Sequence, residues 1–381
     1  MKILLVANSG WYLYNFRSTL IKDIKSKGHD LRIISPSDQY SEILIKQKNY
    51  HVNWDLSRKS INPLKEFKSI LNLIIIYRKL KPDLIHHFTI KACFYGTIAA
   101  KFSNTKKVVN SITGLGHIFV GKKLTTKILK FFLLPLYRLV FNAKRSNMIF
   151  QNEDDLNEFI KSKLTNKEST CLIKGSGIDI KKFSNSNEKH LGHFHSPVRL
   201  LFPSRLIIEK GIIELLEACK CLWSDNYNFE LYIAGEPKDD NRSVISKEVF
   251  EEIKNNKKIK SLGHVKDMKS LFENIDIVIL PSWREGLSRS LIEAAAMKKA
   301  IITSNVTGCS QIIDHGINGI LVPVNDINGL ILAIKLLIHN PELSRKFGEK
   351  IREKVLNKFS ANIINKQTLE FYETINSNSI S

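Results

Sequence analysis

Hydrophobic and polar positions along this chain repeat one unit: a short apolar run, a polar loop, and an amphipathic stretch that leads to the next apolar run. The clearest example extends from Ile275 to Gly308. Its apolar runs predict strands at Ile275–Leu280 and Ala300–Ser304, and Ser288–Met297 between them predicts a helix. Parallel strands require such helical crossovers, so the pattern predicts an α/β protein with a doubly wound parallel sheet.

The same pattern occurs twice, on either side of a polar, irregular segment at Asn185–Pro197. Further strands are predicted at Lys2–Ala7, Asp30–Ser35, Asp83–Phe88, Val108–Thr113, Ser146–Gln151, Val198–Phe202, Phe229–Ala234, Lys258–Leu262 and Gly319–Val322. Further helices are predicted at Phe16–Ser26, Leu64–Leu80, Gly211–Cys221, Met268–Asn274, Asp326–His339, Glu342–Asn357 and Ser360–Ile375. We therefore expect an N-terminal domain over 1–185, a C-terminal domain over 197–358, and a crossover helix and tail over 359–381.

The net charge says more about the class of binding partner than the overall composition does. The chain has 381 residues, 58 Lys and Arg against 37 Asp and Glu, and a net charge of +21. Such an excess favours a phosphate-bearing partner or an anionic lipid surface. Nucleic acid is disfavoured, because the sequence has no helix–turn–helix, RNP-like strand or zinc-finger pattern. The five cysteines lack zinc spacing, which favours a reducing compartment without a structural metal, and the first apolar run is too short for a signal peptide.

The segment 121–145 combines basic and large apolar residues and contains no acid. It is interrupted by Pro135, and its apolar core is shorter than the ~20 residues that cross a bilayer. Basic residues beside aromatic and aliphatic ones favour a segment that lies on an anionic membrane. A buried core helix with solvated lysines, such as Lys122, Lys123, Lys127 and Lys130, is the alternative.

Candidate chemistry in the C-terminal half lies in two loops that follow predicted strands. Glu285 and Glu293 flank the start of a predicted helix, where backbone N–H groups favour an anion. Arg205 and Lys210 follow the strand Val198–Phe202, and two such cations can hold a diphosphate. No Asp-x-Asp occurs in the chain, so we expect these cations and the helix dipole, and no metal, to neutralise the phosphate charge.

The N-terminal half has polar residues where its predicted strands end. His86, His87, Thr89 and Lys91 cluster at the end of the strand Asp83–Phe88, and Thr113 and Gly114 lie at the end of another. These groups are expected at the same sheet edge, although a structural role for either histidine remains open. Nicotinamide binding is disfavoured, because the first turn lacks the G-x-G-x-x-G fingerprint that positions a pyrophosphate.

These motifs carry a family resemblance. The span Glu285–Glu293 resembles the E-x7-E element of retaining glycosyltransferases with the GT-B fold. P-S-W-R-E-G, T-S-N-V-T-G, S-R-L-I-I-E-K-G and D-H-G-I-N-G-I-L-V-P resemble glycosyltransferase family 4. W-Y-L-Y-N-F-R, H-H-F-T-I-K and I-T-G-L-G resemble a branch that adds N-acetylhexosamine or related sugars to undecaprenyl-diphosphate-linked acceptors for O-antigen, capsule or glycan assembly.

The resemblance implies two Rossmann-like doubly wound domains facing across a cleft, with a C-terminal helix crossing back. It implies three catalytic residues: Arg205 and Lys210, which stabilise the leaving diphosphate, and Glu285, which holds donor-sugar hydroxyls. It also implies that Glu293 holds the ribose. The remaining donor-binding residues would be Gly286, Leu287, Ser288 and Arg289 at the phosphates, and Gly235, Glu236, His264 and Val265 at the uracil. The acceptor or N-terminal cleft residues would be Asn8, Gly10, His86, Thr89, Lys91, Thr113, Gly114 and His117. The usual His-Asp of the family is replaced here by Gly-Leu-Gly-His, so no catalytic role is assigned to His117.

The expected function is therefore that of a metal-independent, cofactor-free, retaining glycosyltransferase, cytoplasmic and peripherally attached to the inner face of the cell membrane. It would move a hexosamine, with N-acetylgalactosamine in α1,3 linkage as the leading expectation, from a UDP-sugar to an undecaprenyl-diphosphate-linked sugar. Two alternatives remain open: a UDP-sugar 2-epimerase of the same architecture, and a non-catalytic membrane-bound scaffold.

Overall fold

A computed structural model describes residues 1–57, 60, 62–114, 124–142, 146–184, 194–237 and 243–377, with side chains left out from 124 to 132. The chain divides into two compact units: Met1–Gly177 with Ala361–Ser381, and Ile178–Ser360. The C-terminal segment thus belongs to the first unit. Most of the predicted linker, residues 185–193, lies outside the described residues.

The described residues of the first unit form a seven-stranded parallel sheet in the order β3-β2-β1-β4-β5-β6-β7. Its strands are β1 (Lys2–Ala7), β2 (Asp30–Ser35), β3 (Tyr50–Asn53), β4 (Leu84–Phe88), β5 (Val108–Ile112), β6 (Ser146–Phe150) and β7 (Thr170–Leu172). Its helices include α1 (Gly10–Ser26), α2 (Gln39–Lys46), α3 (Pro63–Leu80), α4 (Ile90–Phe102), α5 (Leu124–Phe141) and α6 (Glu153–Lys161).

The described residues of the second unit form a six-stranded parallel sheet in the order β10-β9-β8-β11-β12-β13. Its strands are β8 (Val198–Phe202), β9 (Phe229–Ile233), β10 (Ile259–Ser261), β11 (Ile277–Leu280), β12 (Ala300–Ser304) and β13 (Ile320–Val322). Its helices are α7 (Ile212–Ser224), α8 (Lys247–Asn255), α9 (Met268–Glu273), α10 (Arg289–Ala296), α11 (Thr307–Ser310), α12 (Ile327–His339) and α13 (Pro341–Lys358). A last helix, α14 (Ala361–Ser377), returns to the first unit.

The two sheets share one topology. In each, the first three strands run outward from the centre and the fourth pairs with the first, which is the order of nucleotide-binding doubly wound folds. The central strands β1 and β11 are buried apolar runs apart from Lys2 at the start of β1, as expected for strands covered by helices on both faces. The predicted α/β class and the two Rossmann-like units are confirmed. Ligands of such sheets bind beyond the carboxyl ends of the strands where the order reverses, at β1/β4 and β8/β11.

The structure corrects the start of the first helix and adds elements that hydrophobic periodicity did not predict. The helix α1 begins at Gly10 and not at Phe16, because the Ser9 hydroxyl accepts from the Tyr12 N–H and caps the first turn. The helix α2 begins at a capping box formed by Asp38 and Ser41. These short polar segments hold their ends by side-chain hydrogen bonds, which an apolar pattern does not record.

The helix α14 is attached to the first unit by polar contacts with the sheet and with α1. The Tyr372 hydroxyl is hydrogen-bonded to Nδ1 of His86, whose Nε2 lies 2.6 Å from the Ser111 hydroxyl. The Asn365 amide donates to Asp23 at 2.8 Å. The side chain of His86 is fully buried, so it does not reach the sheet edge where the sequence placed it.

The neighbouring His87 faces the opposite side of the sheet and is also fully buried. Its ring nitrogens are hydrogen-bonded to Asn110 at 2.8 Å and to the Tyr77 hydroxyl at 3.0 Å. Burial lowers the pKa of His87 to about 4, and burial together with the Arg17 charge lowers the pKa of His86 well below its usual value. Both rings are therefore neutral core residues at physiological pH.

We expect Tyr372→Phe to lower the free energy of unfolding by about 1–2 kcal/mol, because it leaves a buried ring nitrogen of His86 without its partner. Urea unfolding followed by circular dichroism measures this change. The matched control is Tyr50→Phe on the edge strand β3, where an exposed hydroxyl is lost and less than ~0.5 kcal/mol should change. Equal stabilities for the two variants would contradict the fastening role of Tyr372.

Candidate active site

An ion pair lies at the point where the second sheet reverses its strand order. Lys210 ends the short 3-10 turn Ile208–Lys210 after β8, and Glu285 lies in the loop after the neighbouring strand β11. The Lys210 Nζ lies 2.5 Å from the Glu285 Oε1, and their side chains are only 16% and 10% exposed. The buried Ser282 hydroxyl donates to the same carboxylate oxygen at 2.9 Å. The structure thus brings together two of the three residues predicted to be catalytic.

Two glycines allow the loops around this pair to approach each other. Gly211 has φ +75°, and a side chain there would collide with the carbonyl of Pro281. A Cβ on Gly308 would lie 2.5 Å from the Glu285 carbonyl oxygen and 2.6 Å from that of Gly286. Backbone therefore packs against backbone on both sides of the Glu285 loop, which fixes where its carboxylate can point.

Trp283 connects the Glu285 loop to the turn after β8 and to the first turn of α7. Its backbone N–H donates to the Glu209 carbonyl at 2.9 Å, and its indole N–H donates to the Glu214 carboxylate at 2.9 Å. Glu209 in turn accepts from the Ser243 hydroxyl at 2.5 Å. Sequence reasoning did not predict roles for Ser282, Trp283 and Glu209, nor for Glu214. The first three had one signal, their position beside Lys210 or Glu285 within the quoted motifs, whereas Glu214 lies outside those motifs.

The helix α10 begins beside the ion pair. Ser288 is its N-cap residue and is buried, yet its side chain makes no capping hydrogen bond and lies 3.3 Å from the Ser290 hydroxyl. The positive end of the helix dipole is therefore not neutralised by the cap side chain. Glu293, one turn into the helix, accepts from the Arg289 Nε at 2.8 Å. Gly286 and the half-buried Leu287 lie in the loop before the helix, as predicted.

The residues predicted to frame a base lie at the ends of β9 and β10. Glu236 follows Gly235 after β9, and its carboxylate accepts from the His264 backbone N–H at 3.0 Å. The Glu236 carbonyl accepts from the Leu206 N–H at 3.3 Å, next to the exposed Arg205. Val265 is half-buried. Strand order therefore places this set on the side of β8 away from β11, beside the third predicted catalytic residue.

Cys309 lies behind the ion pair and has no nucleophilic character there. Burial, with the Glu285 charge second, raises the pKa of its thiol to about 12. The thiol is therefore neutral, and we assign the residue to the core beneath Glu285.

The predicted N-terminal cleft residues fall into four groups. Asn8, Gly10, Thr89, Thr113 and Gly114 follow β1, β4 and β5, which are neighbours in the sheet, so their loops share one edge. The Lys91 ammonium is held within the first unit: it pairs with Glu66 at 2.9 Å and donates to the carbonyls of Ser57 and Ser60. His86 lies in the core, and His117 lies outside the described residues.

The first turn of this unit is closed to a phosphate. The Trp11 N–H donates to the Asp38 carboxylate at 3.1 Å, and the Tyr12 N–H donates to Ser9. Protein oxygens thus use the amides that a dinucleotide pyrophosphate would need, in agreement with the missing glycine fingerprint.

Comparison with known proteins assigns the class. Residues 2–152 match the family model described as glycosyl transferase 4-like, and residues 183–354 match the one described as glycosyl transferases group 1. The two doubly wound units have the GT-B architecture, and the two family models together identify a glycosyltransferase. The chain belongs to the family 4-like, group 1 glycosyltransferases, as the resemblance predicted.

Individual relatives cover most of the chain. It is 28% identical, over 98% of its length and 99% of the relative's, to the N,N'-diacetylbacillosaminyl-diphospho-undecaprenol alpha-1,3-N-acetylgalactosaminyltransferase of Campylobacter jejuni. It is 24% identical, over 79% of its length and 78% of the relative's, to the UDP-Gal:alpha-D-GlcNAc-diphosphoundecaprenol alpha-1,3-galactosyltransferase of Escherichia coli. Among solved structures, Anabaena HepE in complex with UDP and glucose superposes with a TM-score of 0.78 at 19% identity, covering 98% of this chain and 99% of that one.

We expect Trp283→Phe to lower kcat/KM for sugar transfer about 3- to 30-fold, because the Glu214 carboxylate loses its indole donor and the Glu285 loop loses one of its ties. Steady-state kinetics with varied donor measures this. The matched control is Trp223→Phe, whose indole donates to the Phe229 carbonyl at 3.1 Å and lies at the end of α7. A kinetic loss as large in the control as in Trp283→Phe would assign the effect to general destabilisation.

Proposed function

We propose that this enzyme transfers a hexosamine, with retention of anomeric configuration, from a UDP-sugar to a sugar on undecaprenyl diphosphate. The leading candidate is N-acetylgalactosamine in α1,3 linkage to N-acetylglucosaminyl-diphospho-undecaprenol, in the synthesis of O-antigen or another surface polysaccharide. The observation that carries the proposal is the Lys210–Glu285 pair at the strand reversal of the second unit, beside the start of α10.

The relatives support the acceptor more strongly than the donor. The names of both relatives include diphospho-undecaprenol and an α-1,3 linkage, whereas one transfers N-acetylgalactosamine and the other galactose. The greater identity and coverage of the first favour N-acetylgalactosamine here. The UDP bound by the Anabaena neighbour favours a uridine diphosphate donor.

In the proposed reaction, the bond between the anomeric carbon and the β-phosphate oxygen breaks, and a bond to the acceptor oxygen forms on the same face. Lys210 and Arg205 stabilise the charge that develops on the leaving diphosphate, assisted by the start of α10. The Lys210 ammonium has three donors, so its bond to Glu285 leaves donors to point at phosphate oxygens. The departing phosphate accepts the proton of the incoming hydroxyl, so no protein nucleophile is required.

The carboxylates take the hydroxyl groups of the donor. Glu285 is held by Lys210 and Ser282, which orients its second oxygen for the hydroxyls of the transferred sugar. Glu293 is held by Arg289 and accepts from the ribose hydroxyls. We propose that the reaction needs neither a metal nor another cofactor, since these cations and the helix dipole supply the positive charge.

We propose that the enzyme works at the cytoplasmic face of the membrane as a peripheral protein. None of the helices within the described residues combines the length and apolarity needed to cross a bilayer. In the segment 121–145, the lysines of the predicted interfacial surface lie outside the described side chains. Among its described side chains, Leu136 and Leu139 are exposed and Tyr137, Val140 and Phe141 are buried.

We expect Lys210→Ala to lower kcat at saturating donor about 10²- to 10³-fold, because the leaving diphosphate loses a positioned cation. The control is Lys220→Ala, whose exposed side chain pairs with Glu252 on the surface of the same unit and should leave kcat unchanged. Unchanged turnover by Lys210→Ala would show that this cation does not stabilise the leaving group.

The reaction itself is tested with a panel of UDP-sugars and a synthetic lipid-diphosphate acceptor bearing N-acetylglucosamine. We expect mass spectrometry to show one added N-acetylhexosamine, NMR coupling constants to show an α linkage, and EDTA to leave the rate unchanged. Interconversion of UDP-sugars without transfer would instead identify an epimerase. Binding of UDP-sugars without any product would identify a scaffold.

A further inference from the structure

The helix α3 carries a row of large apolar side chains on its solvent-facing side. Leu64 is 81% exposed, Phe67 61%, Leu71 42% and Ile75 64%. At 3.6 residues per turn these four positions fall within an arc of roughly 80°. The opposite side of the helix is what packs on the sheet, through the buried residues Ser69, Leu73, Ile76 and Tyr77. The row is therefore a second apolar face and not part of the core.

Positive charges border the exposed row. Lys68, Arg78 and Lys79 project within about 80° of its centre on the same helical wheel, and all three are exposed. Lys68 lies 3.9 Å from Asp55, in a solvent-exposed pair that leaves its charge largely available. The only acid in the helix, Glu66, points the other way, where it pairs with Lys91 and accepts from the Tyr95 hydroxyl.

The surface extends onto the neighbouring helix α4. The Arg78 guanidinium donates to the Phe102 carbonyl through Nε at 3.2 Å and Nη2 at 3.0 Å, which anchors it beside the end of α4. The Phe102 side chain is 58% exposed. Five large apolar side chains and three cations thus share one exposed surface of the first unit, which we name the α3 surface. Scattered single apolar residues are usual on proteins, but a continuous row of this kind marks an interaction site.

We propose that the α3 surface docks on an anionic lipid bilayer, with the apolar row inserted at the headgroup level and the cations against the lipid phosphates. Charge complementarity selects this occupant, since the helix bears cations around the row and turns its single acid inward. The shape of the α3 surface also fits a bilayer, because one exposed helix presents a convex row suited to a flat fluid surface. This docking deepens the proposed function, on which it rests for its purpose: it would hold the enzyme where a lipid-linked acceptor lies.

The test is co-sedimentation of the full chain with vesicles of phosphatidylcholine, with and without an equal part of phosphatidylglycerol. We expect Phe67→Ser with Ile75→Ser to weaken partitioning onto the mixed vesicles about tenfold or more, since burying even one such side chain is worth that factor. We expect Lys68→Gln with Lys79→Gln to weaken binding to the mixed vesicles, with a loss that shrinks at high salt.

The matched control is Leu332→Ser with Leu336→Ser. These residues are 68% and 46% exposed on α12 of the second unit, so they remove similar exposed apolar surface elsewhere. Circular dichroism confirms that each variant is folded. A loss in the α3 variant with none in the α12 variant supports the proposal, and equal binding by both variants and the parent overturns it. A parent dimer that becomes a monomer in Phe67→Ser with Ile75→Ser, measured by light scattering, would assign the surface to a second copy and overturn lipid docking.

Transfer assays separate this inference from the proposed function. With a short-chain, water-soluble acceptor, the α3 variants should turn over like the parent, whereas transfer to vesicle-embedded acceptor should fall with vesicle binding. Vesicle binding that depends on the α3 surface in a protein without transferase activity would retain the docking and reject the function. Transfer to embedded acceptor that is unaffected by loss of the row would reject the docking alone.

Discussion

The ion pair between Lys210 and Glu285 is the contact on which the site of the second unit depends. A half-buried pair gains little net stability, because desolvation offsets much of the Coulomb attraction. The surroundings nevertheless hold it tightly: strands β8 and β11 are neighbours, Gly211 and Gly308 let the loops close, and Trp283 ties them together. A costly pair with so much support is better explained by what it does for a ligand than by what it adds to folding.

The two units have the same topology, yet the helix starts at their topological switch points are capped differently. In the first unit, Ser9 and Asp38 cap the amides at the start of α1. In the second, the side chain of the N-cap residue Ser288 makes no capping bond, and a cation lies beside the helix start. Side-chain oxygens thus bond to the first amides of the helix in the first unit, whereas the cap side chain in the second unit makes no such bond. This asymmetry supports placing the nucleotide sugar in the second unit and the acceptor in the first.

The hydrophobic pattern predicted the elements that local sequence determines, which are the buried strands. Apolar runs flanked by turns gave the bounds of β1, β2, β8 and β12, because strands buried on both faces read as continuous apolar segments. Short elements held by side-chain caps, such as α2, were not predicted. Motifs indicated Lys210 and Glu285 as parts of one site, but the direct bond between them depends on strand order. His86 was misplaced because its environment is created by Tyr372, from a helix at the far end of the chain.

The most direct test of the account is calorimetric titration of UDP and of uridine into the parent and Lys210→Ala. If the ion pair and the start of α10 form a diphosphate site, UDP should bind the parent at least about tenfold more tightly than uridine, since charge-assisted phosphate contacts carry that much free energy. Lys210→Ala should lose most of this advantage while uridine affinity stays the same. Equal binding of UDP and uridine by the parent, or a UDP advantage untouched by Lys210→Ala, would contradict the central claim.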